Sequence, residues 1–457
     1  MPRVLIVSAN REQFPEPAFP VGAVYVAAAL ARRGADVRVF DAGLYRLPHV
    51  ALRAALRRFR PDVVGLSLRN ADNAAYPCSR FYLPDYARLV RTIRSSCNAR
   101  LVLGGSAFAI FPDEIMQALG VDAGVVGDGE AVAAAFDTAW AGIRNARLRD
   151  LSGVGFPDDL QRVFPDFRRY RTIGIQTARG CPRRCIYCTY PLLEGRQTRP
   201  RSPQAVADEI ERIVRTSGKT DFFFVDSLFN ADERHMTAVL KAIIERRLEI
   251  RFSCYMMPAV SDPALFGLLK QAGCLAVDFG TDTGSPRLLV SFQKGFGVED
   301  IRAVSAACRK HGIDFCHSLI FGAPGESEET IRETVTLMDE VEPRAVVAMI
   351  GVRIYPGTEM ERAARLDGTL ERGGSVLEPR FYYGGRDAAW LLPAVYAEVG
   401  GRSNWFFPGE RDWSRLIGPR LLRLLQAHGP VWRAFRTGRP GDNLWTSLYR
   451  LYRRSVR

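Results

Sequence analysis

From residue 1 to about 140 the chain repeats one pattern, a short apolar run followed by a stretch whose apolar positions recur at helical spacing. VLIVSAN precedes VYVAAALARRG, VRVFDAG precedes LRAALRRF, and VVGLSLRN precedes YARLVRTIR; LVLGG and AGVVGDGE continue the series. Uniformly apolar runs alternating with helices predict strands buried on both faces, and hence a parallel sheet between two helical layers. Residues 1–145 therefore read as a doubly wound, Rossmann-like α/β domain, with ligands expected at the carboxyl ends of its strands.

The alternation breaks over residues 146–170, where LSGVGFPDDLQRVFPDF has the Gly, Pro and Asp content of a linker. A second series fills residues 171–360, with strands expected at IGIQTA, DFFFVD, IRFSCYM, LAVDFG, IDFCHSLIF and AVVAMIGVRIY. Helices between them include PQAVADEIERIVRTS and SEETIRETVTLMDEV. Six such units predict a partial (β/α)6 barrel, again with chemistry at the carboxyl ends of the strands. Residues 361–457 lose the alternation and become dense in Trp, Tyr, Phe, Gly and Arg, which reads as a small, mostly helical cap.

The chain has 457 residues, 47% of them apolar, enough for more than one core. Its net charge of +13 is spread over helical faces and the C-terminal tail LYRLYRRSVR, with no basic tract interleaved with a stacking motif. A solvated surface accounts for that charge better than a nucleic-acid or membrane partner does. No stretch approaches the roughly 20 apolar residues of a membrane span, and MPRVLIVSAN lacks a signal-peptide pattern, so a cytoplasmic protein is expected. Nine cysteines do not form the regular framework of a small secreted domain and point to a reducing compartment. Six of them, Cys78, Cys97, Cys254, Cys274, Cys308 and Cys316, occur singly and are expected to be small buried core residues.

The other three are grouped. TARGCPRRCIYCTYP sets Cys181, Cys185 and Cys188 in CxxxCxxC spacing, just after the first strand of the second series. Thiolates are the ligands that iron–sulfur clusters take. Three cysteines on a four-iron cluster leave one iron open to chelate the amino and carboxylate groups of S-adenosylmethionine. A structural zinc site is the plainer reading, but such sites close with four protein ligands, and the histidine nearest in sequence is His235.

This spacing, with the aromatic Tyr187 before the last cysteine, resembles the signature of the radical SAM superfamily. The resemblance implies a 4Fe-4S cluster on the three cysteines and S-adenosylmethionine beside Tyr187. FGTDTGSP is similar to the superfamily's FGxESGS segment, with Asp282 where a glutamate is usual, and Ser253 in IRFSCYM is a second candidate contact to the nucleoside. IFGAPGES and RIYPGTEM are similar to later barrel segments. Ser253 and Asp282 also read as residues that satisfy local backbone groups at strand ends.

An α/β domain before such a barrel resembles the cobalamin-dependent branch of that superfamily. The residues then expected to contact cobalamin are Ser8, Asn10, Gly22, Asp41, Ser67, Arg69, Asn70, Gly104, Gly105, Ser106, Gly127, Gly129 and Glu130. The glycines would let a large flat ligand approach the backbone, and each residue also reads as a turn residue. The DxHxxG motif that supplies a histidine beneath cobalt is missing; among five histidines only His49 lies in this domain. Arg69 in SLRNADN is the candidate for the lower face of the corrin, as in the tryptophan 2-C-methyltransferase-like branch that the chain resembles. An exposed surface arginine is the alternative.

The resemblance implies methyl transfer from S-adenosylmethionine by way of methylcobalamin to a carbon of a small-molecule or peptide natural-product precursor. In a radical version a second S-adenosylmethionine is cleaved at the cluster. A polar version needs a base, for which Tyr255 and Tyr355 are candidates, although both also read as packing residues. The expected electron donor is a flavodoxin or ferredoxin. Two further readings stay open: ring contraction or cyclisation without methyl transfer, and a cobalamin- or cluster-binding sensor or carrier without turnover.

Overall fold

A computed structural model of the chain describes residues 2–12, 17–133, 140–371, 373–409 and 428–434. They fall into two compact units. The first holds residues up to Asn73 together with Arg80–Cys181 and Thr189–Lys219, and the second holds Ala74–Ser79, Pro182–Cys188 and the chain from Thr220 onward.

The first unit runs β1 (Arg3–Ser8), α1 (Val21–Arg32), β2 (Asp36–Asp41), α2 (Pro48–Phe59), β3 (Val63–Ser67), α3 (Leu83–Arg94), β4 (Arg100–Gly104), α4 (Ser106–Ile110), α5 (Pro112–Leu119), β5 (Ala123–Gly127), α6 (Gly129–Ala133) and β6 (Gly142–Ala146). The strands form one parallel sheet in the order β2-β1-β3-β4-β5-β6. Val4, Val7, Val64 and Leu66 are almost fully buried, as strands covered on both faces require. Reversal of strand order beside β1 places the topological switch between β1 and β3, where doubly wound sheets hold ligands.

The expected linker is folded. It contains α7 (Leu160–Val163) and a single turn at Pro165–Arg169, and Phe156, Phe164 and Phe167 are buried. Three further strands and two helices complete this unit: β7 (Ile173–Ile175), β8 (Ala178–Arg179), α8 (Tyr190–Leu193), β9 (Arg199–Pro200) and α9 (Pro203–Ser217). β8 and β9 form a two-stranded antiparallel ribbon.

The second unit continues with β10 (Asp221–Phe224), α10 (Glu233–Glu245), β11 (Arg251–Met256), α11 (Leu265–Gln271), β12 (Cys274–Asp282), α12 (Pro286–Ser291), α13 (Val298–His311), β13 (Asp314–Phe321), α14 (Glu328–Val341) and β14 (Ala345–Ile350). Then come β15 (Val352–Arg353), α15 (Glu359–Leu366), β16 (Phe381–Tyr382), α16 (Ala388–Val399) and β17 (Trp405–Phe406). Its strands pair in parallel in the order β17-β14-β13-β12-β11-β10, the strand–helix alternation of a partial barrel. Leu319, Phe321, Val346 and Ile350 on its strands pack against Ile331, Val335 and Met338 of α14.

The expected cap contributes to that sheet, because NWFF supplies β17 with Trp405 buried. The arginine-rich end of the cap, 435–457, lies outside the described residues. Of the six cysteines expected in the core, Cys254, Cys274, Cys308 and Cys316 are buried, whereas Cys97 is partly exposed and Cys78 exposed. Cys78 follows Tyr76 and Pro77 in a loop where Pro77, Cys78, Ser79 and Arg80 are all exposed.

Candidate functional site

The carboxyl ends of β1, β3, β4 and β5 carry most of the expected cobalamin residues, all within the first unit. Ser8 and Asn10 are buried below this edge, while Arg69, Gly105, Ser106, Gly127 and Gly22 are exposed along it. Ser67, Asn70, Gly104 and Gly129 are intermediate, and the Asn70 carbonyl accepts the Tyr86 hydroxyl at 2.5 Å. A side chain at Gly22 would meet nothing within 4 Å, so the start of α1 faces open space. An open rim of small residues at a topological switch fits a broad flat ligand such as a corrin.

Two of the glycines serve the protein itself. Gly105 (φ +92°) would put a Cβ 2.5 Å from the Leu68 carbonyl oxygen, and Gly127 (φ +95°) would put one 2.2 Å from that of Ala146. Both positions require glycine for close backbone packing in a left-handed conformation.

Two of the expected carboxylates are also taken up internally. Asp41 accepts from the Gly43 amide at 2.8 Å and from the Tyr170 hydroxyl, and burial pushes its pKa up to about 6 despite these donors. Glu130 is paired with Arg179 at 2.6 Å, with both side chains 7% exposed. The one histidine of this unit, His49 on α2, meets the Thr92 hydroxyl of α3 at 3.1 Å, so its ring lies between two helices. The rim carries Arg69 in its place.

In the cysteine loop, Cys181 follows β8 and is buried, its amide donating to the Gly195 carbonyl at 3.0 Å. Cys185 and Cys188 are partly exposed and share one turn of the second unit, the Cys188 amide donating to the Cys185 carbonyl at 3.1 Å. All nine cysteines are free of disulfides. Among the described residues no three His, Cys, Asp or Glu come together as ligands for a single metal ion. Three cysteines outside any disulfide, with no single-ion ligand group among the described residues, fit a cluster, whose irons take the sulfurs separately, better than they fit one zinc ion.

Beside Cys185 and Cys188 lies a compact polar triad in the second unit. β12 makes an irregularity between Gly280 and Asp282, and Asp282 adopts φ +66° at its end. Its carboxylate accepts from the Tyr187 hydroxyl and from Lys294 Nζ at 2.5 Å. Burial, then Asp282 and the sulfurs of Cys185 and Cys188, raise the Tyr187 hydroxyl well above its usual pKa, so it stays a donor. Burial opposes the charge on Lys294, but Asp282 and the same sulfurs outweigh it and lift its pKa. The Lys294 ammonium lies 5.8 Å from the centre of the Tyr187 ring and 5.6 Å from that of Phe296. A buried cation within electrostatic reach of two cysteine sulfurs suits thiolate ligands.

The remaining candidates lie on β11 and after β15. Ser253 is buried on β11. Tyr255, on the same strand, is 43% exposed with its ring edge-on to Phe223 at 5.0 Å. Tyr355 follows β15, with the Arg353 guanidinium 4.7 Å from its ring centre. Sequence reasoning missed Lys294, Arg179 and Asp128. The signal for Lys294 was a lone cation in the apolar stretch LLVSFQKGF, since a lysine there must find an anion.

Two family patterns match: the B12 binding domain over residues 7–137 and the radical SAM superfamily over residues 175–338. The chain thus carries the two domains of cobalamin-dependent radical SAM enzymes, which it resembles. Among them it is similar to methyltransferases. It is 25% identical over 446 residues to the tryptophan 2-C-methyltransferase of Streptomyces laurentii, covering 79% of this chain and 74% of that one. It is 24% identical over 486 residues to the cytidylyl-2-hydroxyethylphosphonate methyltransferase of Streptomyces wedmorensis, covering 88% of each. It also shares the fold of a radical S-adenosylmethionine methyltransferase from Kitasatospora setae solved with tryptophan and a SAM analog, with a TM-score of 0.81, 22% identity and full coverage of both chains. No helix among the described residues is long and apolar enough to cross a membrane.

Proposed function

We propose that this radical SAM C-methyltransferase acts on a carbon of a small, planar natural-product precursor, with Cys181, Cys185 and Cys188 holding the cluster. The observation that carries the reading is the Tyr187–Asp282–Lys294 triad beside Cys185 and Cys188, which sets charged and hydrogen-bonding groups where an amino-acid-like cosubstrate would lie. Tyr187, Ser253 and Asp282 are assigned to S-adenosylmethionine. The rim residues Ser8, Asn10, Gly22, Ser67, Arg69, Asn70, Gly104, Gly105, Ser106, Gly127 and Gly129 are assigned to cobalamin. When bound, the cluster supplies an electron and an open iron, and cobalamin carries the methyl group.

What the chain's own residues contribute follows from their chemistry. Arg69 offers a permanent cation that cannot coordinate a metal. Tyr255 and Tyr355 are the candidate bases if a nucleophilic carbon must lose a proton. Nine cysteines outside any disulfide support a reducing setting, the cytoplasm, and the electron donor that goes with the radical SAM reading is a flavodoxin or ferredoxin.

The test is anaerobic reconstitution with iron, sulfide and cobalamin, followed by incubation of S-adenosylmethionine with a panel of small indole and other aromatic acceptors. Mass spectrometry should find one acceptor heavier by a methylene unit. Cofactor binding with S-adenosylmethionine left intact under reducing conditions would instead identify a carrier or sensor.

A further inference from the structure

We infer that Arg179, anchored by Asp128 and Glu130, positions the backbone that presents Cys181 to the cluster, so that Glu130 serves the cluster loop and not cobalamin. This rests on the reading that the three cysteines bind the cluster.

Arg179 ends β8, two residues before Cys181, and is buried. Its guanidinium is used on every side: Nη1 donates to Asp128 Oδ1 at 2.8 Å, Nη2 to Glu130 Oε1 at 2.6 Å, and Nε to Gln176 Oε1 at 2.8 Å. Arg199, opposite Arg179 on the β8–β9 ribbon, donates to the second Asp128 oxygen at 2.6 Å. Asp128 also caps the Leu148 amide at 2.7 Å. Burial would raise the Asp128 carboxyl, but Arg199 and Arg179 outweigh it and hold it below the usual carboxylate range. On the far side of Arg179, the Gly180 amide donates to Glu194 Oε2 at 2.9 Å and the Cys181 amide to the Gly195 carbonyl at 3.0 Å. A continuous set of polar contacts therefore runs from the β5–α6 loop to the first cysteine.

Two cations and two carboxylates buried together recover little net stability, because each ion's desolvation costs several kcal/mol. What such a network fixes is geometry: the planar fork of an arginine saturated by two carboxylates sets both the height and the rotation of the residue that bears it. Glu130 has its two oxygens on Arg179, the second at 3.3 Å. A carboxylate held in this way is committed before a ligand arrives at the rim.

Glu130→Gln and Arg179→Lys, reconstituted anaerobically beside the wild type, separate the two roles of Glu130. Cobalamin affinity is read by absorbance titration, and the cluster by iron content and by the EPR spectrum of the reduced enzyme with and without S-adenosylmethionine. Both variants are expected to bind cobalamin as the wild type does, while their iron content falls or their EPR spectrum and its response to S-adenosylmethionine change. Arg179→Lys keeps the charge and loses only the fork, so a changed spectrum there reports positioning. Circular dichroism confirms that the variants are folded. The inference is overturned if Glu130→Gln weakens cobalamin binding about tenfold, as loss of a direct contact worth ~1.4 kcal/mol would, with the cluster spectrum unchanged. If the wild type itself assembles no cluster, the cysteine reading fails and takes this one with it. Identical cluster signals in all three proteins remove this inference alone.

Discussion

Asp282 sits at the residue position where sequence and geometry meet most tightly. A left-handed backbone is costly for residues with a Cβ, and Asp tolerates it better than most because its short polar side chain reaches local partners. The superfamily's usual glutamate would have to fold a longer side chain into the space between Tyr187 and Lys294, where Asp282 is held within hydrogen-bonding distance of both. Lys294 in turn is 5% exposed and depends on that carboxylate. Lys294→Met is therefore expected to leave Asp282 buried without its cation, destabilising the protein by about 3–5 kcal/mol. The double variant Lys294→Met/Asp282→Asn, which removes both charges, should recover most of that loss. Denaturant midpoints of anaerobically purified protein check this, and equal losses in single and double variants would show that the two charges are not coupled. Spacing alone singled out the three cysteines as candidates, but it could not single out Lys294, since its partners lie 12 and 107 residues away and no periodicity relates them.

Among the elements, strands and helices of the two series were legible because their burial is total on one pattern and one-sided on the other: β1 is apolar and buried from Val4 to Val7, whereas α9 buries Val206, Ile210 and Ile213 along one stripe. Elements that depend on distant partners were not. β6, GIRNA, lacks an apolar run of its own length and β17 is only two residues long; both pair at the edges that β5 and β14 offer. Asp41 illustrates the same limit at a strand end. Its position after β2 suggested a ligand contact, yet its carboxylate joins that strand end to the following turn and to Tyr170 of the folded segment after β6. Burial raises its pKa to about 6, so the folded protein binds this proton more tightly than the unfolded chain does. Its contribution is then most favourable below about pH 4 and is lost as pH rises to about 6, amounting to roughly 3 kcal/mol for a shift of about two units. Asp41→Asn keeps an acceptor for Gly43 without the proton. Thermal unfolding of both proteins between about pH 4.5 and 7 should show the variant gaining on the wild type as pH rises, by a few degrees per kcal/mol. A constant difference across that range would mean Asp41 ionises normally.

At the scale of the whole molecule, the two proposed ligand sets differ in how far the fold prepares them. The rim at the carboxyl ends of β1, β3, β4 and β5 is made by a sheet of paired, buried strands, and the expected cobalamin residues belong to one compact unit. In the cysteine loop Cys181 is buried after β8 of a two-stranded ribbon, whereas Cys185 and Cys188 sit in a single turn and remain partly exposed. A preformed site binds its ligand independently of the other, whereas a loop of thiols gains order from the metal it holds. The variant with Cys181, Cys185 and Cys188 all changed to alanine should accordingly lose iron and every S-adenosylmethionine-dependent product, yet titrate with cobalamin at wild-type affinity. Added cobalamin at about 100 times its dissociation constant should stabilise that variant by roughly 2.7 kcal/mol, as mass action requires of any ligand that binds only the folded state. Absorbance titration and thermal unfolding with and without cobalamin measure both effects. If cobalamin no longer binds once the cysteines are gone, the rim is not preformed, and its residues owe their arrangement to the cluster.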